Sequence, residues 1–317
     1  VRALSFHPAI LSLTSPLTVR AVFVRTWHLV DASGMLLTVT TAPYDGPMAI
    51  RVENWLPGAA RPGMTARLAG RALTLGALRL DLTGAREWRG EPAQVTPIDR
   101  SALERDLGLV AALTSTGALP GLAPRLEALE SALRAHDAAA VQSAVRWLIG
   151  LGPGLTPAGD DVLCGLMAGL HVFGRRLVVS STGVRADGVG DKWQAGTELA
   201  GDRRAKALGY AASRFPAGRV GWMRDRLGVV VLEEMQGRTT ALSRTLLYWA
   251  ARGVAVQPLL DVLWTLGSGG PVDGLETTAA MGHTSGRDML AGASLAATLA
   301  VGGQGDASVV DSAERLP

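Results

Sequence analysis

Gly150-Leu-Gly-Pro-Gly-Leu-Thr-Pro-Ala-Gly-Asp-Asp161 is the least ordinary stretch of the chain. Four glycines and two prolines in twelve residues make a loop whose backbone takes unusual angles. An apolar run, Val162 to about Gly174, follows directly and reads as a helix. Thr156-Pro157 fits an N-cap followed by Pro at the first helical position. Asp160 and Asp161 then stand in the first turn, where the helix dipole favours negative charge. A Gly-rich loop feeding a helix N-terminus presents N–H groups to an anion, so Gly152, Gly154, Thr156 and Gly159 are candidate anion-binding residues. Beside a bound phosphate, Asp160 and Asp161 would hold Mg²⁺ through their hard oxygens. No Gly-Lys-Ser/Thr occurs here, so this is not a Walker loop. The bland reading is a tight corner with capping acids; ordinary connections are rarely this extreme in composition.

A second segment, Gly282-His-Thr-Ser-Gly-Arg-Asp-Met-Leu-Ala-Gly292, has the same form. A shift of 127 residues (286 − 159) lays Gly159, Asp161, Leu163 and Gly165 on Gly286, Asp288, Leu290 and Gly292. Small residues recur four apart on both helices, Gly165 with Gly169 and Gly292 with Ala296, which lets helices approach closely. These spacings predict two helices packed together with converging N-termini and one shared anionic-ligand pocket. Asp160, Asp161 and Asp288 stand at its rim, Thr284, Ser285 and Gly286 supply donors, and Arg287 supplies a fixed charge. His283, between a glycine and two hydroxyls, is a candidate general acid or anion donor; the equally weighted alternative is a locally bonded His at a helix start. A weaker third segment, Gly237-Arg-Thr-Thr-Ala-Leu-Ser243, offers Thr240 and Ser243 as further donors, against the simpler reading of N-capping by Thr239 or Thr240. Nothing resembles a catalytic triad, and no His pair has metal-ligand spacing.

Outward from these loops the chain changes period. Residues 1–98 contain short runs rich in Val, Thr and Leu (Val19 to Val30, Met35 to Thr41, Met48 to Val52, Thr65 to Ala69, Leu78 to Leu82), punctuated by Ser33-Gly34, Pro57-Gly58 and Pro62-Gly63. They predict a small β barrel or sandwich, with Trp27, Trp55 and Trp88 as packing residues. Residues 99–317 carry amphipathic periods at Ser101 to Leu113, Leu122 to Ala135, Ala138 to Ile149, Val220 to Gln236, Thr240 to Ala251 and Leu259 to Leu266. Ser101 with Glu104 is a capping-box pattern. Residues 180–202 have five glycines and no period, and read as a long loop excursion. The fold class expected is α+β: the β unit, then a mainly helical unit containing two pseudo-repeated Gly-rich loop–helix segments.

Composition limits the partners. Of 317 residues, 48% are hydrophobic and 19% charged, enough to bury a core without staples. The single cysteine, Cys164, excludes a disulfide framework and reads as a buried hydrophobe. Aromatics are 5%, too few for a base-stacking surface, and a net charge of +3 gives nucleic acid or membrane little to attract. Only Lys192 and Lys206 among the 31 basic residues are Lys, which fits an Arg-rich genomic background. The most apolar stretches, Val162 to Gly174 and Met289 to Gly303, are shorter than a membrane span, and a cytoplasmic location is expected.

The two Gly-rich segments and the Thr239-Thr240-Ala-Leu-Ser243 stretch resemble the AllH-type family, a bacterial domain linked to oxamate carbamoyltransferase in anaerobic allantoin and purine catabolism. The β-first, helix-after layout is similar too, so the likeness spans most of the chain. The resemblance departs at Ala158, where the family has Ser, and at Arg287, where it has an aromatic; these positions put the substrate in question. It implies a subunit of a three-protein complex that interconverts oxalurate and phosphate with oxamate and carbamoyl phosphate; in the pocket read from the loops, Asp160, Asp161, His283 and Asp288 are the candidate catalytic residues. The alternatives are a non-catalytic subunit binding a nucleotide or metabolite for regulation, and a stand-alone phosphate-dependent enzyme using Mg²⁺.

Overall fold

The computed structural model describes residues 1–54, 58–92, 94–114, 119–182 and 218–302. Nine strands fill the first part: β1 (Ala3–Phe6), β2 (Leu17–Val22), β3 (Thr26–Val30), β4 (Leu36–Thr40), β5 (Ala49–Val52), β6 (Thr65–Ala69), β7 (Ala72–Leu75), β8 (Leu78–Asp81) and β9 (Arg86–Glu87). They form one sheet in the order β8-β7-β6-β2-β3-β4-β5-β1-β9, antiparallel except at β4–β5 and β1–β9. The sheet curls into a half-barrel. Its end strands β8 and β9 each have one neighbour, so among the described residues it is neither the closed barrel nor the two-layer sandwich expected. The stretch read as one run, Val19 to Val30, is a hairpin that turns at Phe23–Arg25, because β2 and β3 pair with each other. Leu17, Leu29, Leu37 and Ile50 fill the concave core, and Trp27 is buried with them. Trp55 lies outside the described residues.

Apart from a 3-10 helix at Pro8–Ser12, helices begin at Arg100. They are α1 (Arg100–Thr114), α2 (Leu122–Arg134), α3 (Ala138–Leu148), α4 (Ala158–Thr182), α5 (Arg219–Glu234), α6 (Ala241–Ala250), α7 (Gln257–Thr265), α8 (Leu275–Ala279) and α9 (Ser285–Val301). Asp99, not Ser101, starts α1: its carboxylate accepts the Ala102 N–H at 2.8 Å. Helix α4 runs beyond Gly174 because Leu177 and Val178 continue its apolar pattern. The expected excursion therefore cannot begin at Ser180, and its remainder, 183–202, lies outside the described residues.

Helix α4 is the axis of the helical part, and α9 lies along it. Glycine decides the closeness. A Cβ on Gly165 would overlap the Met289 carbonyl, and one on Gly292 would overlap the Val162 carbonyl; a Cβ on Gly169 would strike Ala296. The contact is reciprocal under the 127-residue shift, since Val162 and Gly165 correspond to Met289 and Gly292.

Arg176, fully buried on α4, ties the inter-element linker to α7. It donates to the carbonyls of Thr96 (2.9 Å), Pro97 (3.2 Å), Leu263 (3.0 Å) and Leu266 (2.5 Å). The sheet meets the helices through α6 and α7. Thr245 accepts the Leu36 N–H at 3.2 Å, Trp249 joins the sheet's core, and Gln257 bonds the Trp88 indole and the Asp45 carbonyl.

Replacing Gly165 by Ala forces backbone apart and is expected to cost on the order of 3 kcal/mol in urea unfolding. Gly108→Ala, in open space on α1, is expected to stabilise by about 1 kcal/mol. Equal effects at the two positions would contradict the packing described.

Candidate functional site

The loop before α4 is built around its acids. Asp160 is 1% exposed and has both carboxylate oxygens engaged: Oδ1 accepts the Gly150 N–H at 2.8 Å and Oδ2 accepts the Thr239 hydroxyl. Burial raises its pKa against those donors. The next turn of the same loop is held from α6. Thr240 donates to the Leu155 carbonyl at 2.5 Å, and Ser243 reaches it at 3.4 Å. Thr240 also caps α6 by accepting the Ser243 N–H at 3.1 Å. The N-capping reading of that segment holds, and the Thr240 and Ser243 hydroxyls expected to meet an anion are directed at the Leu155 carbonyl.

Gly150, Gly152 and Gly154 all have positive φ, at 74°, 112° and 100°, so the loop takes the left-handed backbone its composition predicts. Among the described residues, no hydrogen bond engages the N–H groups of Gly152, Gly154, Leu155 or Thr156. Gly159 and Gly286 lie behind the loops, where a Cβ would overlap the carbonyls of Leu148 and Thr278. They hold the helix starts against preceding elements, which is a packing role.

The second loop meets the first. Thr156 and Ser285 share a hydrogen bond of 2.8 Å across the α4–α9 junction. Thr156 thus spends its hydroxyl on the other loop, and the first intrahelical bonds of α4 go to the Pro157 carbonyl, from Asp160 and Asp161 N–H. Below the hydroxyl pair lies Asp161, 1% exposed, whose carboxylate oxygens have no hydrogen bond of normal geometry among the described residues. Asp288, in the first turn of α9, is 7% exposed, and its Oδ2 is likewise unpartnered. Burial drives the Asp161 pKa up to about 8; the Asp288 and Asp160 charges push the same way, and the nearby Ser285 and Thr156 hydroxyls pull partly back without closing a normal hydrogen bond to it. Burial also raises Asp288.

The remaining predicted residues flank this junction. His283 is exposed, Thr284 precedes α9 without capping it by its side chain, and Arg287 is half-buried in the first turn of α9. Both oxygens of Asp160 already accept a hydrogen bond, and among the described residues there is no group of three or more His, Cys, Asp or Glu that could hold a metal ion. Thr239 is the residue that sequence reasoning left out of the site. Its neighbour's capping signal was local, whereas its bond to Asp160 spans 79 positions.

Residues 148–202 and 206–297 match the family model described as oxamate carbamoyltransferase subunit AllH. The match begins at the end of α3 and takes in both Gly-rich loops, α4, α6 and α9 as far as Ala297; the sheet lies outside it. No curated protein and no solved structure matches the chain. Among the described residues no helix is long and apolar enough to cross a membrane.

Asp161 binds a proton more tightly folded, at about 8, than in the unfolded chain, at 3.8. Between those values the native state holds the extra proton, so stability falls as pH rises from about 4 to 8 and levels above. Asp161→Asn, neutral throughout, removes this component. Its melting temperature relative to the parent is expected to rise by at least about 4 °C between pH 5 and pH 8.5. A pH-independent difference would refute the buried, proton-holding Asp161.

Proposed function

Since residues 148–297 carry the AllH family's match, we propose that this chain is a subunit of an oxamate carbamoyltransferase-like complex, and that the α4–α9 junction is its small-molecule site. The observation that carries this reading is the meeting of two Gly-rich loops at adjacent helix N-termini, joined by Thr156 and Ser285, with loop N–H groups that have no protein partner among the described residues. Such N–H groups at a positive dipole end suit phosphate or the phosphate of carbamoyl phosphate. Gly152, Gly154 and Thr156 would bind it from the first loop, and Thr284, Ser285 and Arg287 from the second. In acyl transfer the same fixed donors would meet an oxyanion as it develops, at no reorganisation cost. His283, exposed at the rim, is the residue placed to exchange a proton with solvent.

The two loop–helix segments act in this reading as pseudo-repeats. Support comes from the reciprocal glycine contacts and from Gly159 and Gly286, each packed under a preceding carbonyl. Asp160 takes a positioning role, because its oxygens are already used to hold Gly150 and Thr239.

Two measurements test the proposal. Calorimetry should detect inorganic phosphate binding to the full chain, weakened by Gly154→Ala, which strains a residue at φ 100° without adding a clash. Mixing the chain with partner subunits, oxamate and carbamoyl phosphate should give carbamoyl transfer. Gly154→Ala and Asp161→Asn are each expected to reduce it at least tenfold, about 1.4 kcal/mol or more in the barrier. Activity untouched by both would leave a non-catalytic, metabolite-binding subunit as the better reading.

A further inference from the structure

The two ends of the sheet are finished differently. At one end β9 is two residues long, and Arg71 and Arg89 hold one oxygen each of the Glu87 carboxylate. At the other end β8 pairs with β7 alone. Leu80 of β8 is buried and Leu78 half-buried, whereas Arg79 and Asp81 are exposed together on the outer face. The strand lies outside the residues matched to the AllH model.

The ladder fixes where the β8 peptide groups point. In an antiparallel pair, hydrogen-bonded and non-hydrogen-bonded residue pairs alternate. Leu82 donates its N–H to the Arg71 carbonyl at 2.8 Å, which sets the phase. Leu80 opposite Leu73 and Leu78 opposite Leu75 are then the bonded pairs. Arg79 and Asp81 turn their N–H and C=O groups away from β7. Among the described residues no other element meets those outward groups, and no ion pair engages Arg79.

An edge of this kind is a template for another strand, and edges are commonly defended by charge. Here the charges are of both signs, two positions apart on one face, so they select a strand instead of repelling all of them. Three antiparallel registers of β8 against a second β8 match the bonding groups and keep the axis within Arg79–Asp81. Two of them set Arg79 opposite Arg79 or Asp81 opposite Asp81, and like charges directly opposite destabilise a pair. The third, with its two-fold axis at Leu80, sets Arg79 opposite Asp81, and the symmetry repeats that contact. Each Arg79–Asp81 pair then exchanges both backbone hydrogen bonds, with Leu80 against its own copy and Leu78 against Leu82. Asp81 is prepared for the contact. Its Oδ1 accepts the Thr83 N–H at 2.9 Å and the Thr83 hydroxyl at 2.7 Å, which hold the carboxyl below its usual pKa and leave Oδ2 toward a guanidinium.

We propose that β8 is a self-pairing edge: two copies of this chain join β8 to β8, antiparallel about Leu80, with Arg79 of each copy facing Asp81 of the other, so that two sheets become one. The pairing is independent of any ligand at the α4–α9 junction.

Sedimentation equilibrium of the full chain near neutral pH, at about 0.1 M salt, tests it. The edge is only four residues long, so a weak dimer is expected, with a Kd on the order of 10 μM. Arg79→Asp and Asp81→Arg should each weaken it at least about tenfold, because each sets like charges opposite one another at both pairs. The chain carrying both substitutions restores the complement and should recover the parent's Kd within about threefold. A defect of folding in either single variant would not be repaired by adding the other. A parent chain that stays monomeric to about 1 mM overturns the inference with no variant having to fold. A dimer indifferent to both single reversals overturns it too, since that dimer uses another face. So does a dimer lost in each single variant and not recovered in the double one.

Discussion

The close approach of α4 and α9 is the constraint on which the site depends. Ordinary helix pairs keep their axes 8–10 Å apart because side chains intervene. Here Gly165 rests on the Met289 carbonyl and Gly292 on the Val162 carbonyl, so backbone meets backbone. Because the contact is reciprocal, neither helix can slide along the other without driving a glycine out of its seat. Both helix N-termini are thereby held in register, and Thr156, two residues before α4, falls within hydrogen-bond reach of Ser285, the first residue of α9. The spacing of two glycines thus sets the geometry of two loops several residues away.

That geometry places three acids at two positive helix ends. A helix N-terminus stabilises a carboxylate by about 0.3–1 kcal/mol at the surface and up to ~2 kcal/mol when partly buried. Burial outweighs it, since all three acids have raised pKa values. The fold treats them differently. Asp160 is compensated by Gly150 and Thr239 and acts as a strut between the loop and α6. Asp161 and Asp288 have oxygens without a hydrogen bond of normal geometry among the described residues. Loop amides without a protein partner among the described residues and buried carboxyls thus stand side by side at the two helix starts.

Much of this was legible because it is local. Left-handed glycines, Asp in the first helical turn and the i, i+4 small residues of two helices are all written within a dozen residues, and the helix pair follows from them. The failures share one cause, which is that a partner distant in sequence claims the group. Thr156 looks like a cap but bonds Ser285, 129 positions away. Ser101 and Glu104 look like a capping box, yet Asp99 takes the N–H. The sheet was read as strands but not as a single open layer, because β1 and β7 carry no strong alternation and strand order is set by pairing between distant segments such as β1 with β5. Nothing in a periodicity shows how Asp161 is buried and bonded; that is a property of everything packed around it.

The sheet lies outside the residues matched to the AllH model, yet it is mechanically connected to the junction. Its strand β4 bonds Thr245 on α6, and Trp249 of the same helix sits in the sheet's core. Helix α6 is only ten residues long, and its N-terminal end supplies Thr239, Thr240 and Ser243 to Asp160 and Leu155. One side of α6 is thus fixed by the half-barrel while its first turn fixes the Gly-rich loop. A loop with this many positive-φ glycines has a large conformational entropy to lose on ordering. The hydroxyls of α6 offset part of that cost, and they can do so only because the sheet keeps α6 from moving with the loop.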